Sequence, residues 1–180
     1  TVGEADGTIA TVKDGRYEFK SKTYTSESAV TGLRFTFKEN HNTNGAACME
    51  DGKYPQVAIA EFYLYDGEGY PITLSVSNFT TNAQEEQEGP MENICDGDKG
   101  SFWHSKWSAK VGDYHYLEVA VPAGLNLSSF GFGWTSRYTA QVVPKTVDVS
   151  IMTYVSEFKS GLMESVNSAK ELIATTPVGN

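Results

Sequence analysis

Basic residues are scarce in this chain. Its 180 residues carry 14 Lys and Arg against 23 Asp and Glu, a formal net charge of −9, and the pI is near 4.8. Nucleic-acid binding needs clustered Lys and Arg to displace counterions. Here Lys106, Lys110, Arg137 and Lys145 stand singly among acids, so neither nucleic acid nor an anionic membrane surface is an expected partner. No apolar run approaches the length of a bilayer span, which argues against membrane insertion. Cysteine is almost absent: Cys48 and Cys95 lack C-x-x-C spacing and His41, His104 and His115 are isolated, so zinc is a poor reading. One disulfide and two buried thiols are both compatible with such a pair.

Other signatures are missing too. No G-x-S-x-G nucleophile elbow occurs. The Gly131-Phe132-Gly133 stretch has no helix behind it, so it is not a phosphate loop. Paired carboxylates for glycoside hydrolysis would need a cleft, of which a chain this small gives no sign. The chain is therefore expected not to be an enzyme. Thr1-Val2-Gly3-Glu4 carries neither an initiator Met nor a signal peptide. It reads as the start of a segment of a longer protein, and the missing targeting stretch has no bearing on location.

What is present suffices for one core: hydrophobic residues make up 39% and aromatics 12%. Arg16–Tyr24 and Val30–Lys38 alternate apolar with polar residues, the period of a half-buried strand. Gln56–Tyr65 is more continuously apolar, as a central strand should be. Ile72–Asn78, His115–Val121, Phe130–Thr135 and Thr146–Tyr154 follow the same logic. Turn-rich connections separate them at Asn42–Gly45, Asp66–Gly69 and Asp96–Asp98. Short strands without a βαβ rhythm predict an antiparallel sandwich or jelly roll over residues 1–155. Beyond it, Phe158, Leu162, Val166, Ala169 and Ile173 recur at helical spacing. Residues 156–180 are thus expected to form a C-terminal helix, ended by Pro177, that either packs on the sandwich or opens a following helical module, the second reading being preferred. The acidic Gln84–Glu88 run reads as a solvated loop.

The densest cluster of chemistry-bearing residues runs from Asn93 to Trp107. Asp96 and Asp98 offer hard carboxylate oxygens two apart, Gly97 permits a tight turn, and Ser101 adds a hydroxyl and a carbonyl. Spacing alone leaves a calcium loop and a plain Asp-Gly turn both standing. It is not an EF-hand, because Trp107 occupies the twelfth position from Asp96. His104 and Trp107 pair an imidazole with a large aromatic three residues on. Sugars need such a pair, since their C–H faces stack on rings while their hydroxyls require directional partners. The competing reading is a structural histidine and a core tryptophan; for Trp103 the core reading is preferred.

The stretch from Ile72 to Tyr154 resembles the coagulation factor 5/8 type C, or discoidin, family, which overlaps the family 32 carbohydrate-binding modules. The matching elements are Thr81-Asn82-Ala83, then Cys95-Asp96-Gly97-Asp98 through Ser101-Phe102-Trp103-His104-Ser105. Tyr116-Leu117-Glu118-Val119, Phe130–Trp134, Arg137 and Pro144-Lys145-Thr146-Val147 follow. Gly32–Phe37 and Ala60–Tyr65 resemble the family's late strands, moved to the front. The resemblance therefore implies a circularly permuted, galactose-binding-domain-like jelly-roll β-sandwich, a rearrangement tolerated where termini lie close together.

The resemblance further implies a structural calcium held by Glu61, the main-chain oxygen of Asn93, Asp96, Asp98 and Ser101. A bound cation would also account for the lone acid within the apolar 56–65 strand. It places a sugar on His104, Trp107 and Arg137. Where relatives carry an Asn after the Arg, this chain has Thr139, Ala140, Gln141 and Val142, with Gln141 the substitute. The expected function is a non-catalytic carbohydrate-binding module for galactose-type or related glycans. It would be monomeric, tethered within a larger secreted or cell-surface glycan-degrading protein. The alternatives are a discoidin-like protein-adhesion domain and a structural spacer.

Overall fold

A computed structural model describes residues 7–11, 16–42, 44–138, 140–159 and 162–177. They form thirteen strands: β1 (Gly7–Thr11), β2 (Tyr17–Ser21), β3 (Tyr24–Asn40), β4 (Met49–Glu50), β5 (Tyr54–Pro55), β6 (Ala58–Asp66), β7 (Pro71–Ile72), β8 (Phe79–Thr81), β9 (Trp103–His104), β10 (Tyr116–Ala120), β11 (Leu127–Ser136), β12 (Pro144–Lys159) and β13 (Leu162–Pro177). Every pairing among them is antiparallel. Apart from the β4–β5 hairpin they belong to one curled sheet. The fold is all-β.

The long strand β3 produces the curl. Its first part pairs with β11 (Tyr24↔Phe130, Val30↔Leu127), and its second part lies between β10 (Phe35↔Leu117) and β12 (Phe35↔Val149). A register shift between Leu127 and Ser129 marks the bend, as an extra residue in one strand of a pair does. Two inner faces then oppose each other, one carrying Phe35, Phe37, Leu117 and Val149, the other Phe19, Phe62, Phe132 and Trp134, all buried. Phe35 meets Phe62 and Phe132 edge to face at centroid distances of 5.1 and 4.9 Å, the arrangement favoured by the ring quadrupole. Burial of each such ring stabilises the fold by about 1.5–3 kcal/mol.

Two sequence expectations fail. Ile72–Asn78 does not continue as a strand: β7 stops at Ile72 and Val76–Asn78 forms a 3-10 turn. The Asn78 side-chain oxygen accepts from the Ser75 backbone N–H and hydroxyl, and such local bonds compete with a sheet ladder. The C-terminal helix over 156–180 is also absent where it can be tested. Residues 156–159 continue β12, and β13 runs back against it from Lys159↔Leu162 to Thr146↔Pro177. β13 pairs the edge of β12 that β3 leaves open, whereas a helix would satisfy its own backbone and leave that edge unpaired. Tertiary pairing thus overrides the helical spacing. Thr1–Glu4, Thr139 and residues 178–180 lie outside the described residues. Among those described, no helix is long and apolar enough to cross a membrane.

Candidate functional site

The beginning of β6 gathers the site. Ala58 pairs with His104 of β9, and its carbonyl accepts the Arg137 backbone N–H. His104 is thereby set on one side of Ala58 and Arg137, just past β11, on the other. The His104 N–H donates to the Gly89 carbonyl at 3.0 Å. Gly89 has φ +67, and a Cβ there would lie 2.6 Å from the His104 nitrogen, so only glycine permits this approach. Gln141 arrives on the 3-10 turn Ala140–Val142.

His104, Trp107, Arg137 and Gln141 line one cavity of about 290 Å³, together with Glu88 and Cys48. The four residues singled out for sugar contact are therefore neighbours in space. His104 is buried and Trp107 is 52% exposed, with ring centres 6.0 Å apart. The imidazole Nδ1–H donates to the Ser105 carbonyl, leaving Nε2 as an acceptor. Burial lowers the His104 pKa despite that bond and the nearby Glu88, so the ring is neutral at pH 7. Arg137 stacks on Phe102, 4.0 Å from its ring centre. Its guanidinium pairs with Glu88 at 3.2 Å, and its buried Nε has no hydrogen-bond partner. The Cys48 thiol lies 3.5 Å from Gln141 Oε1. Both cysteines are free thiols.

Glu85 and Glu88 escaped the sequence reading, which took Gln84–Glu88 for a solvated loop. The structure corrects this: Glu85 is fully buried. Its carboxylate accepts from the backbone N–H groups of Gln87, Trp107 and Ser108 and from the Ser108 hydroxyl, at 2.8–3.1 Å. Burial opposes ionisation, but these donors outweigh it and hold the pKa at about 2. A buried, ionised Glu85 thus fixes the loop that presents Trp107. Gln84 accepts from the buried Trp103 indole at 3.1 Å, in keeping with the core reading of Trp103. The only signal in the sequence was an acidic run one strand away, indistinguishable from solvated charge.

A second polar network sits below the site. Glu50 Oε2 accepts from His115 Nε2–H (3.1 Å), and His115 Nδ1 accepts from the Ser105 hydroxyl (2.9 Å). The Ser105 oxygen in turn accepts the Val57 N–H at 2.8 Å. Glu50 also takes the N–H groups of Val111 and Gly112. Burial raises its pKa, yet these donors outweigh burial and the net shift is downward. The serine, histidine and carboxylate superficially resemble a catalytic relay. Ser105 and His115 have no exposed surface, however, and the Ser105 oxygen is held by the Val57 N–H in the interior rather than presented to solvent. This network ties the 44–57 and 105–115 loops together.

The residues expected to hold calcium fall into two groups. Glu61, buried on β6, accepts the Gly97 N–H at 2.7 Å and shares a hydrogen bond with Asp96. Burial, reinforced by Asp96, pushes the Glu61 pKa up to about 7 against the lowering effect of Gly97. Two carboxylates thus face one another at the end of the 95–101 loop, a like-charge pair that a dication would relieve. The other residues bond internally. Asp98 accepts from Gly100 (2.7 Å), and the Ser101 hydroxyl donates to Asp96 and to the Asp98 carbonyl. The Asn93 side chain donates to the Phe102 carbonyl. The Glu61–Asp96 pair suits a hard cation, and Asp98 and Ser101 stand on the same loop with their oxygens bonded within it; among the described residues no three acidic, His or Cys side chains converge.

No protein-family model, curated protein or solved structure matches the chain.

Proposed function

We propose that this chain is a non-catalytic carbohydrate-binding module with a galactose-binding-domain-like jelly-roll architecture. The observation that carries the reading is the convergence of His104, Trp107, Arg137 and Gln141 on one cavity, although they lie up to 37 positions apart in sequence. The half-exposed indole offers a stacking face for pyranose C–H groups. His104 Nε2 and the Glu88 carboxylate accept from hydroxyls, and Arg137 donates in parallel to adjacent ones. The Arg137–Glu88 pair supplies donor and acceptor without net charge, which suits a neutral galactose-type sugar. A cavity of about 290 Å³ takes a terminal residue, and so small a ligand binds weakly on its own.

Calcium is proposed as a structural ion at Glu61 and Asp96, with the Asn93 main-chain oxygen, Asp98 and Ser101 completing the set that the family resemblance implies. When bound, it would neutralise the carboxylate pair and stiffen the loop leading into β9. The module would serve a larger secreted or cell-surface glycan-degrading protein by raising its effective concentration at the substrate.

The test is a glycan array on the domain. Binding to galactose-terminated glycans is expected, falling at least tenfold in His104→Ala and Trp107→Ala with both variants folded. Recovery of a protein ligand without any glycan binding would establish the adhesion reading instead.

A further inference from the structure

A larger cavity, about 400 Å³, lies on the outer face of the sheet and shares no lining residue with the first. Its walls include Glu18, Lys20, Tyr63, Tyr65 and Lys99. Register explains how it forms. Tyr65 and Tyr63 of β6 stand opposite Gly131 and Gly133 of β11, and Lys20 of β2 stands opposite Gly133 from the other side. β6 and β2 are thus separated by two strand spacings, about 10 Å. The Lys20 ammonium nevertheless lies 4.4 Å from the Tyr65 ring centre. The two side chains meet above the glycines because no Cβ stands between them. Packing forces the glycine at 133, where a Cβ would lie 2.3 Å from the Phe19 carbonyl. It does not force the one at 131, whose Cβ would find nothing nearer than 3.5 Å.

We propose that this tyrosine-lined trough is a second saccharide site, which binds an internal stretch of a neutral polysaccharide. The ring centres of Tyr63 and Tyr65 are 6.2 Å apart and inclined by 30°, and the Tyr65 ring already carries the Lys20 ammonium on one face. The two rings bring aromatic surface into the trough for sugar C–H groups. Lys99 and Glu18 pair with each other at 2.5 Å, which offers hydroxyls a donor and an acceptor, and Lys20, held over the Tyr65 ring, supplies a further donor. At about 400 Å³ the trough is larger than the first cavity and has room for more than one sugar residue of a chain. The saccharide class rests on the function proposed above; the location rests on the trough alone.

The experiment is native electrophoresis through gels containing arabinogalactan, xyloglucan or laminarin, with lactose binding measured in parallel by calorimetry. The chain's charge of −9 carries it towards the anode without aid. At least one neutral polysaccharide is expected to retard the wild type. Tyr65→Ala should weaken that binding at least tenfold and leave lactose binding intact, while Tyr65→Phe, which keeps the ring, restores it. Trp107→Ala should abolish lactose binding and spare the polysaccharide. Absence of retardation by all three polymers, or unchanged retardation of Tyr65→Ala, overturns the trough and leaves the first site untouched. Polysaccharide binding lost in Tyr65→Ala without any lactose binding supports the trough and overturns the first site.

Discussion

Replacing Glu85 by Gln probes how the Trp107 loop is held. Oε2 of Glu85 accepts from Trp107 and Ser108, and Oε1 from Gln87 and the Ser108 hydroxyl. An NH₂ group in place of Oε2 faces two backbone N–H donors. One in place of Oε1 faces the Gln87 N–H, while the Ser108 hydroxyl can turn to accept. Either way the charge that strengthened all four bonds disappears. The carboxyl pKa drops from 4.5 to about 2 on folding. At about 1.4 kcal/mol per pH unit of displacement, ionised Glu85 stabilises the fold by on the order of 3 kcal/mol. The sign follows from a depressed folded-state value. The contribution is complete above pH 4.5 and is lost as pH falls through that value towards 2. Urea unfolding should therefore show Glu85→Gln about 3 kcal/mol less stable than the wild type at pH 7. The gap should shrink steadily below pH 4.5 and nearly close by pH 2. Sugar affinity should fall as well, because the indole is no longer fixed. A variant as stable as the wild type at pH 7, or a gap insensitive to acid, would refute the reasoning.

Glu61→Gln tests the carboxylate pair. The raised Glu61 pKa, 4.5 to about 7, favours the fold below pH 4.5, and that advantage is lost as pH rises through 7. In chelator the wild-type melting temperature should therefore fall between pH 5 and pH 8 by more than that of the variant, and calcium should restore it in the wild type alone; parallel curves, or no response to calcium, would contradict a cation at this pair. Gly89→Ala places a methyl group against the His104 backbone at a left-handed φ. It should cost about 1–3 kcal/mol and at least tenfold in sugar affinity, read by thermal melting and calorimetry, whereas unchanged affinity would show that His104 does not depend on that approach.

Much of the sheet was legible, because alternation on β2, β3, β10 and β12 records which side chains face the core. The strand reading of Gln56–Tyr65 held because Ala58–Phe62 is buried on both faces and reads as a continuous run, while Tyr63 and Tyr65 alternate with the buried Leu64. Very short strands were not legible: β4, β5 and β9 have two residues each, too few to show any period. β13 misled because Leu162, Val166 and Ile173 fit helical spacing, and only its partner β12 decides the matter. The proximity of His104, Trp107, Arg137 and Gln141 was legible through the imidazole–indole spacing and the resemblance to a known pattern. Glu85 and Glu88 were not, since the sequence records a charge but not the amide groups that come to surround it.

The way Glu85 grips its loop has a consequence for changing what the rim recognises. All of its bonds go to main-chain N–H groups or to Ser108, and none involves the indole. The aromatic group at position 107 is therefore interchangeable in principle: Tyr, Phe or His could be seated on the same backbone without disturbing its mount. On the carbohydrate-binding reading proposed above, a library restricted to that single codon would sample new sugar preferences on an unaltered scaffold.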